Sequence, residues 1–167
     1  MSDLSDLQKL LDKAAEKMSE TTLRIIGVEG KRFISKNFQD QSFTDTSSTS
    51  WAARKTVDKQ GNDMSQYRTN RRGKEGDLTQ FGRRNLDRAI LVGFKSGGNK
   101  LKNSFRYRVN LGSKQVIFYT YKEYAQRHNE GLDGMPQRQF IGQSAYLHEQ
   151  ISNKVTTELE KIFKEHE

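Results

Sequence analysis

Leu4, Leu7, Leu10, Leu11, Ala14, Ala15 and Met18 recur at intervals of three and four residues, the stripe of an amphipathic helix with Ser2 or Ser5 as candidate caps. That stripe predicts a helix ending near Met18 or Ser19. A second stripe, Leu23, Ile26, Gly30, Phe33, Ile34 and Phe38, follows Ser19-Glu20-Thr21-Thr22, whose hydroxyls offer N-cap oxygens, and predicts a second helix. Gly27 and Gly30 sit inside it. Each costs a helix about 1 kcal/mol relative to alanine, so they mark either a break or a place where another backbone packs close.

The pattern then fades. From Asp40 to about Arg72 neither the helical nor the strand period persists, which predicts a loop or a conditionally ordered, flexible arm. Leu86, Ala89, Ile90, Val92 and Phe94 form the next apolar run, and Gly97-Gly98 forces a turn. After a short helical turn through Lys100–Ser104, Phe105, Tyr107, Val109 and Leu111 alternate with Arg106, Arg108 and Asn110, the period of a half-buried strand. Gly112-Ser113-Lys114 is a turn, and Gln115 to Tyr121 is a second strand, so the pair predicts an antiparallel hairpin. Both faces of this second strand are apolar or aromatic, which implies a covering sheet or partner. Tyr124 to Glu130 reads as a short helix stopped at Gly131, where the missing Cβ permits a left-handed cap. Gln137 to Ile141, after the sole proline Pro136, predicts a third strand. Leu147, Ile151, Val155, Leu159 and Ile162/Phe163 define a long C-terminal helix from Ser144.

These elements predict one α+β domain over 1–167, a small antiparallel sheet packed against N-terminal helices and the long C-terminal helix, with 40–90 a basic loop or flexible arm. Composition narrows the core: apolar residues are 32% of the chain, against about 45–50% on a count that includes glycine. Much surface is therefore solvated, or part of the chain orders against a neighbour. No run of about 18 apolar residues is present, and the first residues lack the pattern of a signal peptide, so the expected product is cytoplasmic without a membrane span. With no cysteine, neither a disulfide nor a thiolate metal site is possible, and His128, His148 and His166 lack ligand spacing. No cofactor is expected.

Net charge is +8 and unevenly spread: residues 51–95 hold eleven Lys/Arg against five Asp/Glu, whereas the segment from Ser144 onward carries Glu149, Glu158, Glu160, Glu165 and Glu167. A basic middle and an acidic end suit head-to-tail contact between copies, or two solvated faces. Arg68, Arg71, Arg72, Lys74, Arg83 and Arg84, interleaved with Tyr67 and Phe81, form the densest basic cluster. Such a cluster contacts phosphates, although no nucleic-acid-binding motif accompanies it and the glycines nearby lack the setting of a phosphate loop. His128 lies beside Arg127, Asn129 and Glu130, but adjacent positions splay around a helix and no nucleophile completes a triad. The reading is structural: His128 and Asn129 bond backbone at the helix end. Carboxylates Asp77, Asp87, Asp133 and Glu123 show no catalytic spacing, so an enzyme is not expected. Trp51 either folds onto its own domain or anchors a neighbour. Arg138 is either an internal staple or an intersubunit contact, its fork suiting a carboxylate or backbone carbonyls equally.

Tyr124-Ala125-x-x-His128-Asn129-x-Gly131, then Pro136-x-Arg138-x-Phe140-Ile141-Gly142, resembles the late segment of the bacteriophage virion morphogenesis or tail-completion proteins, which include the Mu protein G-like and P2 protein S-like groups. Leu101-x-Asn103-Ser104-Phe105 also resembles an element of that family, where a glycine usually precedes it, here Gly98. The resemblance covers roughly residues 90–165, and Trp51 stands where such proteins often carry a tryptophan. It implies a non-catalytic phage or prophage protein for tail completion or head–tail joining, acting as a homo-oligomeric ring, commonly hexameric. It further implies tail-tube, terminator or head-connector proteins as partners, and location in the host bacterial cytoplasm during assembly and then in the virion tail or neck. Trp51, Tyr119 and Arg138 are the candidate interface residues. DNA contact through the basic cluster is expected to be weak and non-specific, and the alternative function is a nucleic-acid-binding module using residues 68–84.

Overall fold

A computed structural model describes residues 3–54, 56–57, 60–86, 88–91 and 100–164. Its elements are α1 (Asp3–Asp40), β1 (Ser42–Thr44), β2 (Ser48–Ser50), α2 (Gln80–Asn85), α3 (Leu101–Ser104), β3 (Arg106–Asn110), β4 (Gln115–Tyr119), α4 (Ala125–Glu130) and α5 (Ala145–Lys164). The fold is α+β: helix α1 packs against two small antiparallel sheets, β1–β2 and β3–β4. Val92, Phe94, the Gly97-Gly98 turn and His166 lie outside the described residues.

The predicted break near Ser19 does not occur, because α1 runs unbroken for 38 residues. Ser19, Thr21 and Thr22 are mediocre helix formers that cost only tenths of a kcal/mol each, and the apolar stripe keeps its phase through them. Leu23, Phe33, Ile34 and Phe38 are buried on that stripe, and Asn37 is buried with them. Gly27 and Gly30 mark a close approach, made by rings of the hairpin. A Cβ on Gly27 would lie 2.3 Å from Tyr107 Cε2, and one on Gly30 would lie 2.2 Å from Phe118 Cζ.

Helix α5 packs antiparallel to α1. Tyr146 at its start faces Phe33 at 6.5 Å between ring centres, Lys154 reaches Glu29 at 2.7 Å, and Thr157 and Glu158 share a groove with Thr21 and Arg24. Its N-terminus is tied to the end of β1: Asp45 Oδ1 accepts from Ala145 N–H at 2.7 Å. Ser144 donates to the Thr44 carbonyl and accepts from Leu147 N–H, the N-cap role its position predicts.

The hairpin β3–β4 pairs Arg106 with Tyr119, Arg108 with Ile117 and Asn110 with Gln115. Tyr107 and Phe118 face α1; the alternate residues face out. Segment 40–72 contains more order than its lack of period suggests. Strands β1 and β2 pair Phe43 with Thr49, Trp51 N–H bonds the Gln41 carbonyl at 2.8 Å, and isolated bridges join Val57 to Asp63 and Arg68 to Leu78. Three-residue strands rich in Ser and Thr are too short to show a period, and side-chain bonds such as Asp63 to Ser65 and to Arg68 N–H shape the turns between them.

Segment 137–141 forms no strand, correcting the third-strand expectation. Its backbone groups are taken by other partners. Arg138 N–H bonds the His128 carbonyl at 2.7 Å, and Asn129 Oδ1 accepts from both Phe140 and Ile141 N–H at 3.0 and 3.1 Å. The carbonyl of Phe140 accepts from Asn37 Nδ2 and that of Gln139 from Trp51 Nε1. With these groups satisfied, the segment has little left to offer a sheet neighbour.

Candidate functional site

The motif residues converge on the aromatic core rather than on a cleft. Phe38 of α1 is the centre, with ring centres of Phe140 at 5.1 Å, Trp51 at 5.3 Å and Phe105 at 6.0 Å. Ile34, Leu101 and Ala125 complete the cluster. Leu101 and Ser104 belong to α3, and the Ser104 hydroxyl bonds the Leu101 carbonyl at 2.7 Å while sharing a hydrogen bond with Thr120. Ala125 opens α4, whose closing residue Gly131 has φ 72°, as its Cβ-free backbone predicts. A Cβ there would also meet Gln137 at 3.0 Å. Tyr124, Pro136 and Gly142 lie exposed at the margins of this unit.

Asn129 is the fastener between α4 and segment 137–141, since its side-chain oxygen stands in for a neighbouring strand. His128 contributes its backbone carbonyl rather than its ring, which packs edge-on to Tyr124 at 6.0 Å and leaves Nδ1 buried with no hydrogen-bond partner. Burial, and then the positive charge of Arg138, push the His128 pKa below its ordinary value, so the ring is neutral near pH 7. No nucleophile or carboxylate accompanies it in the described contacts.

Of the two readings of Arg138, the structure contains the internal staple. Its guanidinium is buried and donates from Nε to the Ala52 carbonyl at 3.0 Å and from an Nη to the Ala53 carbonyl at 3.1 Å. Burial, and next the charge of Arg54, lower its pKa. Trp51 is likewise internal, buried against Phe38 and Phe140 with its indole N–H on Gln139. Neither residue is available to a neighbouring copy, because both side chains are committed to the core. Their shared task is to pull 51–53 onto 138–140, so the arm is sewn to the motif.

The third candidate interface residue is placed differently. Tyr119 is 46% exposed and Ile117 is 49% exposed, and with Arg108 they line one shallow depression on the outward face of β4. Arg106, cross-strand from Tyr119, extends this face. The aromatic and aliphatic residues on both faces of this strand thus have different fates, Phe118 seated on α1 and Tyr119 left in water. Asn37 and Asn129 are the functional contacts that sequence periodicity alone does not single out. The signal for Asn37 is a polar residue on the buried stripe, three positions after Ile34.

The basic cluster does not join the motif. Arg68 braces its own loop by bonding the Gly76 carbonyl at 2.6 Å. Arg71, Arg72 and Lys74 occupy the exposed loop tip, and Arg83 and Arg84 fall in the last turn of α2. Tyr67 is buried, its ring 5.6 Å from that of Phe81. Among the described residues no group of three His, Asp or Glu side chains is placed to hold a metal ion, and no helix is long and apolar enough to cross a membrane. A scan of protein-family models, a search of curated proteins and a search of solved structures each return no match to the chain.

Proposed function

We propose that this chain is a structural subunit of phage or prophage assembly, acting in tail completion or head–tail joining as a ring of its own copies. The observation that carries the reading is the outer face of the β3–β4 hairpin. Arg106, Arg108, Ile117 and Tyr119 form a contiguous patch of the residue types that dominate protein interfaces, on a hairpin braced from behind by α1. Covering such side chains recovers about 25 cal/mol per Å² of apolar area, which favours a partner. Among the described residues each strand of this hairpin pairs with one neighbour, which leaves its outer edge without a strand partner there.

Charge and symmetry support the ring. The patch carries two arginines and no acid, whereas α5 exposes Glu149 and Glu160. A surface that is complementary to a different surface of the same chain makes a heterologous contact, and such contacts form a ring where the rotation between copies closes. The resemblance of roughly residues 90–165 to tail-completion proteins supports the same reading, because the buried signature residues Leu101, Ser104, Ala125, Arg138 and Phe140 serve the subunit's own packing. Tail-tube, terminator or connector proteins are the partners this role implies.

The test is the mass of the wild type and of Tyr119→Lys and Ile117→Lys in light scattering, with circular dichroism for fold and phage complementation for function. We expect the wild type to assemble above the 19.3 kDa of one chain, and both variants to stay folded, monomeric and inactive in complementation. A wild type that remains a monomer at every concentration, or variants that assemble normally, would overturn the proposal.

A further inference from the structure

We propose that the loop 68–78, with the end of α2, binds the sugar-phosphate backbone of nucleic acid without reading its sequence. The loop is a defined structure. Arg68 bridges Leu78, Thr69 N–H bonds the Asp77 carbonyl and Gly76 N–H bonds the Thr69 carbonyl, both at 2.8 Å. Thr79 then caps α2 by accepting from Gly82 N–H at 2.9 Å. The helix is seated on the base of the loop, since a Cβ on Gly82 would lie 2.1 Å from the Tyr67 carbonyl oxygen. Arg71, Arg72 and Lys74 at the tip, and Arg83 and Arg84 on the helix, therefore belong to one unit. At Gly73 and Gly76, with φ 80° and 83°, an added Cβ would meet nothing within 4 Å, so the tip stands in open solvent.

Two features decide the class of ligand. All five cationic side chains are exposed, and none forms an ion pair among the described residues; only Glu75 and Asp77 oppose them within the loop. Residues 68–77 also include no apolar side chain, and the one aromatic of α2, the part-exposed Phe81, packs its ring against buried Tyr67 at 5.6 Å. A protein partner needs an apolar or aromatic anchor to bury at the centre of its contact. A polyphosphate needs only positive charge and hydrogen-bond donors, and arginine supplies both in a fork that fits phosphate oxygens. The site thus favours nucleic acid over an acidic protein, and its lack of a groove-reading helix leaves it indifferent to sequence.

The experiment is fluorescence anisotropy of a labelled 30-base-pair duplex titrated with the full chain between low and physiological salt. The wild type is compared with R71A/R72A/K74A, and with K13A/K17A/K31A as a control that removes the same charge from exposed positions of α1. Light scattering and circular dichroism confirm equal mass and fold. We expect the loop variant to bind at least about tenfold more weakly at low salt, with a log K against log salt slope shallower by up to about 2.7, roughly 0.9 for each lost phosphate contact. The control should keep most of the wild-type affinity and slope, and an unrelated duplex of equal length should bind equally. Equal losses in loop variant and control, an unchanged loop variant, no binding by the wild type, or binding of anionic vesicles in preference to the duplex would each overturn the inference.

Discussion

Replacing Gly30 with alanine sets two physical effects against each other. In a helix interior the change alone stabilises by about 0.5–1 kcal/mol, because glycine gives up more backbone freedom on folding. Here the new Cβ would stand 2.2 Å from Phe118 Cζ and 2.7 Å from Cε1, where carbon atoms at ease lie about 3.5–4.0 Å apart. The ring points end-on at the glycine. Because Cζ lies on the axis of χ2, rotating the ring leaves the clash intact, and escape requires a new χ1 or a retreat of the whole hairpin by about 1 Å or more. Overpacking of this kind costs about 1–3 kcal/mol, which exceeds the helix gain. Gly30→Ala should therefore destabilise the protein by roughly 0.5–2 kcal/mol, read from the urea midpoint at constant m. In a Phe118→Leu background, which shortens the side chain, the same Gly30→Ala change should be neutral or stabilising by up to about 1 kcal/mol. A change of sign between backgrounds is the signature of the contact. If Gly30→Ala stabilises equally in both, α1 does not hold the hairpin through this ring, and the placement of the outer face loses its support.

Other substitutions probe the fastening of 137–141 and the titration of its neighbour. Asn129→Ala leaves two amide N–H groups without their acceptor and should cost about 2–4 kcal/mol in denaturant unfolding. Asn129→Asp retains an acceptor oxygen and should cost clearly less; equal losses would show that the two bonds do not matter. Arg138→Lys replaces a fork that serves two carbonyls with a point charge, and should lower stability by about 1–2 kcal/mol in the same assay, whereas an unchanged midpoint would contradict the staple. His128 is a base whose folded pKa lies below its ordinary 6.5, so the unfolded chain binds the extra proton more readily. Stability is then full above about pH 6.5 and falls as pH drops through the folded pKa. Thermal melts of the wild type should weaken over that window, and His128→Leu should flatten the slope there; identical pH profiles would refute it. The lowered Glu29 and Asp63 pKa values act in a lower window, below their ordinary 4.5 and 3.8.

What was legible in the sequence depended on whether burial imposed a period. Helix α5, the β3–β4 hairpin and the Gly131 cap each repeat or punctuate a local pattern, and each appears within a residue or two of its expected place. The continuity of α1 was obscured because Ser19 to Thr22 resemble a capping run, yet the stripe from Met18 to Phe38 never loses phase. Segment 137–141 looks like a strand because its side chains alternate between buried and more exposed positions although no other strand pairs with it among the described residues. The partners that take its hydrogen bonds, His128, Asn129, Asn37 and Trp51, lie outside the segment and follow no period. The same distance hid the role of Arg138, whose carbonyl partners at 52 and 53 lie in a stretch without any period. The outward face of β4 was visible as an excess of apolar residues, and the structure divides it into a seated half and an exposed half.

Hydrogen–deuterium exchange on the wild type over a concentration series and on the Tyr119→Lys variant tests the central claim most directly, since it reads which backbone amides become covered. We predict that concentrating the wild type slows exchange across Arg106–Tyr119 and the exposed face of α5, while the 51–53 and 138–140 core amides exchange alike in both proteins. Protection gained elsewhere with none at Arg106–Tyr119, or no gain at any concentration, would contradict an assembly built on the hairpin's outer face.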